Sequence, residues 1–87
     1  MRLLPGFTYA LAKEAGHRNI WSRVAPHRQR FKIAEIKGAQ PFTVIACVAT
    51  KYRTADSPWS WFFVTTAGEF GWIHTREQST IYERIIQ

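Results

Sequence analysis

The side chains with which this 87-residue chain can do chemistry are four tryptophans, twelve lysines and arginines, three histidines and one cysteine. Three of the four tryptophans fall in residues 59–73, WSWFFVTTAGEFGWI. In an extended strand, alternation sends Phe62, Val64 and Thr66 to one face and Trp61, Phe63 and Thr65 to the other. One face must be core, and the other then carries two large rings. If the 12–28 segment lies over that second face, with Ile20 and Trp21 as lids, the rings are ordinary packing. If it is open, Trp59, Trp61 and Trp72 form an aromatic patch of the kind that marks a contact site.

The second candidate is the basic run His27-Arg-Gln-Arg-Phe-Lys32. On an extended backbone Arg28, Arg30 and Lys32 share a face, a cationic stripe suited to phosphates, and nearby rings can stack on bases. The competing reading is an edge strand guarded by charge. The net charge of +6 is lopsided. Residues 1–44 hold eight basic groups (Arg2, Lys13, Arg18, Arg23, Arg28, Arg30, Lys32, Lys37) and two acidic ones, whereas residues 45–87 hold four of each. A polyanion-facing surface would use this asymmetry, and so would a merely solubilising face.

Catalysis finds little support. His17, His27 and His74 fall in segments that read as loops or turns, and the six carboxylates (Glu14, Glu35, Asp56, Glu69, Glu77, Glu83) are dispersed with no paired spacing. Cys47 sits mid-strand in apolar company, where it reads as a small buried hydrophobe and a thiolate is disfavoured. One thiol permits no intramolecular disulfide, and together with three scattered histidines it makes a poor zinc set. No phosphate-binding glycine loop is present. The expectation is a non-enzyme with no cofactor and no metal, in a reducing, cytoplasmic setting, since Pro5-Gly6, Lys13 and Glu14 interrupt any signal-type apolar stretch. No apolar run is long enough for a membrane span.

Positioning these groups requires strands. The sequence predicts them at 7–11, 30–37, 42–50, 59–66, 69–74 and 80–86. Phe31 and Ile33 alternate before Ala34 and Ile36 shift phase, which predicts a bulge or bend near Glu35. Gly38-Ala-Gln-Pro41 reads as a turn, and Ala67-Gly68 as a two-residue hairpin turn with glycine at positive φ. Phe42 to Thr50 is β-branched, nearly uncharged and reads as the central strand. Residues 12–28 are expected to be a long loop with room for a short helix. Ala10 to Ala15 would end at Gly16, Ile20, Trp21 and Val24 recur at helical spacing, and Pro26 stops what precedes it. At this length there is one domain, spanning 1–87.

Trp61-Phe-Phe-Val, Gly68-Glu-Phe-Gly71-Trp72-Ile73 and Tyr82, at this spacing, resemble the SH3-like barrels and, within them, the bacterial SH3 domains. That family runs an aromatic strand of the form W-x-x-V into a distal turn, then G-x-x-G-[W/Y]-[I/V], a short helical turn and a last strand. The resemblance is firmest over 59–74 and extends across 30–87. It implies a small five- to six-stranded antiparallel barrel whose long first loop is 12–28. It also implies that Trp61 lines a peptide groove, that Val64 and Ile73 are core, and that His74 stands where a groove proline is usual in eukaryotic members. That first loop is basic here, around Arg18, Arg23 and Arg28, whereas binding of proline-rich peptides relies on acidic loop residues. The combined expectation is an SH3-like binding module, a monomer or small homo-oligomer. It contacts a protein partner through Trp59, Trp61, Trp72, Tyr82 and His74. The alternative is a nucleic-acid binder using Arg18, Arg23, Arg28, Arg30, Lys32 and Lys37.

Overall fold

The computed structural model describes residues 2–22, 31–49 and 59–85, and these form an all-β chain. The strands are β1 (Thr8–Leu11), β2 (His17–Ser22), β3 (Phe31–Lys37), β4 (Pro41–Ala49), β5 (Trp59–Thr66), β6 (Glu69–Arg76) and β7 (Tyr82–Arg84). They make one open antiparallel sheet in the order β3-β2-β6-β5-β4-β1-β7. Six strands were expected at most, and the seventh is β2, inside the segment expected to be a loop. Its polar half, His17-Arg18-Asn19, hides the alternation, and Ile20, Trp21 and Val24 mimic a helical period. The helical turn anticipated before Gly16 is present as a 3-10 turn, Lys13–Ala15, and Gly16 follows it at φ 81°.

The centre of the sheet is the β5–β6 hairpin, paired without slip from Trp59↔Arg76 to Thr66↔Glu69. Its turn has two positive φ values, 49° at Ala67 and 81° at Gly68, the backbone twist that matches two right-twisted strands. Ser60, Phe62, Val64 and Thr66 on β5, with Gly71, Ile73 and Thr75 on β6, face the buried side as the parity argument predicts. Tyr9, Leu11, Ile20, Ile36, Phe42, Val44 and Tyr82 complete the core with them, and Leu3 closes one end.

Two bulges shape the sheet. On β3 the extra residue is Ile33, two positions before the predicted site, since Ile20 faces Ala34 and Trp21 faces Lys32. On β4 it is Ile45, between the pairs Val44↔Val64 and Ala46↔Phe63. A bulge bends its strand and increases the local twist, and past this one β4 leaves the core. Cys47 is therefore exposed, although its partner across the ladder, Phe62, is fully buried. This corrects the expectation of a buried cysteine.

Gly71 lets β2 lie against β6. A Cβ there would strike Ile20 Cγ2 and stand 2.9 Å from Ile33 Cδ1 and 3.0 Å from the Trp21 carbonyl oxygen. The hairpin β2–β3 can dock only because this position carries no side chain.

Candidate functional site

The register of β5 and β6 decides where each candidate ring goes. Opposed residues in an antiparallel pair share a face, so the face turned away from the core carries Trp59 with Arg76, Trp61 with His74, Phe63 with Trp72 and Thr65 with Phe70. The rings pack in two groups, Trp59–His74–Trp61 and Trp72–Phe63–Phe70. The Trp61 and His74 ring centroids lie 4.6 Å apart and nearly parallel, Trp59 is 5.1 Å from His74, and Phe63 lies 5.1 Å from Trp72 and 6.2 Å from Phe70.

These groups do not present three open tryptophans. Trp61 is only 5% exposed, flanked across the ladders by Val48 on β4 and His74 on β6. Trp72 is half-buried, paired with Trp21 of β2. Trp21 lies beside Trp72 on the neighbouring strand of the same sheet and does not lie over the face as a lid, while Ile20, its neighbour in an alternating strand, turns the other way into the core. Trp59 alone among the three is open, at 38%, because it begins its strand. The expectation that Trp61 faces solvent is corrected on this ground, and the position of a surface tryptophan passes to Trp59.

Tyr82 is a core residue, 4% exposed. Its hydroxyl donates to Thr75 Oγ1 at 2.7 Å. Burial raises its pKa above 10.0, while Thr75 and the nearby Arg18 guanidinium pull it back down. Its ring is core packing, and its hydroxyl lies beside Arg18.

Beside Trp59 opens a cleft of about 280 Å³ lined by Arg18, Trp59, Thr75, Arg76, Ser79 and Ile81. The Arg76 guanidinium carbon lies 5.6 Å from the Trp59 ring centroid, a cation over an aromatic face. Arg18 comes from β2 and is steadied by an Nη1 hydrogen bond to the His17 carbonyl, 2.9 Å. Ser79 Oγ accepts from the Ile81 amide at 3.2 Å. No carboxylate lines this cleft among the described residues.

The basic candidates separate. Arg23, Arg28 and Arg30 lie outside the described residues. Lys32 is exposed and bound to Glu35, whose carboxyl is held below its ordinary value first by that hydrogen bond and also by the charges of Lys32, His17 and Lys37. His17 Nε2 lies 4.0 Å from the same carboxylate. Lys32 and Lys37 thus belong to a locally compensated cluster, and Arg18 belongs to the cleft.

No family model matches this chain, and no curated protein and no solved structure matches it. The site has to be read from its own residues. Among the described residues no group of three or more histidine, cysteine or acidic side chains is placed to hold a metal ion, and no helix is long and apolar enough to cross a membrane.

Sequence reading missed Arg76, Thr75, Ser79 and Ile81. A usable signal was present for the first. A two-residue turn at 67–68 fixes the register of everything beyond it, so Trp59 had to face Arg76 once the return strand was allowed to run past residue 74.

Proposed function

We propose that this chain is a non-enzymatic SH3-like module that binds another protein inside the cell, through a surface centred on Trp59 and edged by Arg18 and Arg76. The observation that carries this reading is the position of Trp59, an open indole with a guanidinium over one side, at the mouth of a cleft. Tryptophan and arginine are the side chains most enriched among residues that dominate interface energy. The SH3-like part of the reading is supported by the order of the pieces. An aromatic strand, a tight turn, a glycine-bearing return strand and a short last strand follow one another, and the added strand β2 falls within residues 12–28, where the family has its long first loop.

The test is a single alanine variant. Trp59→Ala leaves the thermal midpoint nearly unchanged and removes the partner that the intact protein captures from its native host. Retention of that partner by a folded Trp59→Ala protein would overturn the reading. An oligonucleotide bound with affinity that falls steeply as salt is added, and is weakened by substitution of Lys32 or Lys37, would favour the nucleic-acid alternative instead.

A further inference from the structure

The cleft beside Trp59 has a more particular chemistry than an aromatic contact surface. Its walls bring two guanidinium groups, Arg18 and Arg76, together with two hydroxyls, Thr75 and Ser79. Each hydroxyl already accepts a hydrogen bond, Thr75 from Tyr82 and Ser79 from the Ile81 amide, so each keeps its proton to donate. Arg18 is oriented in advance by the His17 carbonyl and the Tyr82 hydroxyl. Four donor side chains therefore line a space that no carboxylate of the described residues lines. Trp59 and Ile81 supply its apolar walls.

We propose that this cleft takes an acidic peptide segment of the partner protein. An aspartate or glutamate carboxylate sits between Arg18 and Arg76, and an adjoining apolar side chain lies against Trp59 and Ile81. The volume supports a side chain over a whole metabolite, because about 280 Å³ falls just below the roughly 300–1,000 Å³ usual for drug-sized ligands. Charge complementarity selects the acidic peptide, since guanidinium groups bind carboxylates in a planar, two-pronged geometry. The inference rests on the reading of Trp59 as the contact surface.

Three series of short fluorescein-labelled peptides test it by anisotropy. All share a central phenylalanine, and the flanks are aspartate and glutamate, asparagine and glutamine, or lysine and arginine. The acidic series binds, and the amide series binds about tenfold more weakly or worse, the loss expected for a charge-assisted hydrogen bond. Arg76→Gln and Arg18→Gln each abolish the difference between these two series. Arg76 is exposed, so its variant folds even if the partly buried Arg18 proves necessary for stability.

Equal binding of the acidic and amide series overturns the proposal, as does an acidic preference that survives Arg76→Gln, or no binding by any series. Two of these failures are told apart with Trp59→Ala. If it abolishes binding of both series alike, the acidic preference is lost and the aromatic module stands. If it leaves acidic-peptide binding intact, the module reading falls as well. A single-stranded oligonucleotide that outcompetes the acidic peptides also overturns the proposal.

Discussion

Two of the hairpins of this sheet, β5–β6 and β2–β3, are built on opposite terms. The β5–β6 hairpin pairs eight residues with eight, without a slip, around a two-residue turn, and it carries large side chains on both faces. The β2–β3 hairpin slips by one residue at Ile33, is largely polar in its first half, and meets the centre of the sheet at the ladder pair Trp21↔Trp72 and where Ile20 and Ile33 pack against Gly71. The first hairpin is held by its own cross-strand contacts, and the second is held because a glycine on the first makes room for it. The cleft lies where the two meet, with Arg18 from one and Trp59, Thr75 and Arg76 from the other.

The sharpest way to break the contrast is Trp61→Ala. Removing a buried tryptophan from the stack costs about 3–5 kcal/mol, so this variant should lose most of its fold in thermal or denaturant melts. Trp59→Ala, two residues away on the same face, should not. Gly71→Ala comes next. Its methyl has to displace Ile20 and press on the Trp21 carbonyl, and overpacking of this kind costs about 1–3 kcal/mol. The loss should appear first as faster hydrogen exchange in β2 and β3, because the β5–β6 ladder itself does not need the glycine.

Ala67→Asn acts in the opposite direction. Ala67 holds φ 49° without a side chain suited to it, and asparagine tolerates that region and favours this turn, so stability should rise by about 0.5–1 kcal/mol. The smallest effect is expected at Glu35→Gln, whose partner Lys32 is exposed. The sign of its pH dependence follows from the lowered pKa of Glu35. Its contribution is present above 4.5, the value of the unfolded chain, and disappears as pH falls through the lower folded value. Intact and substituted proteins should therefore converge in acid.

The same contrast explains what the sequence disclosed. In residues 59–73, β-branched and aromatic residues alternate around a glycine turn, so local preference and tertiary packing agree. The faces of Phe62, Val64 and Ile73 could be assigned from parity alone. Burial of Trp61 could not, because parity names a face and leaves open what covers it. In residues 12–28 local preference was a poor guide. His17, Arg18 and Asn19 have no apolar alternation, and their strand exists because β3 and Gly71 offer it a place. Cys47 misled for a related reason, since β4 leaves the core beyond the bulge at Ile45 while the neighbours of Cys47 in sequence remain apolar. The carboxylate-free cleft was illegible for a third reason, because it draws on four separate stretches of chain that only the fold brings together.

The strand β1 has two neighbours, β4 on one side and β7 on the other. Its backbone groups at Tyr9, Ala10 and Leu11 are therefore completed by Tyr82, Glu83 and Arg84, some of the last residues described. On a ribosome, β1 can pair with β4 first and keeps its other edge open until Tyr82–Arg84 have been made. Pairings across such sequence separations form slowly because loop entropy must be overcome before they contribute. That edge of the early strand, with Phe7 beside it, is thus in need of protection while the chain is being made, and a ribosome stalled before residue 82 would leave it uncovered.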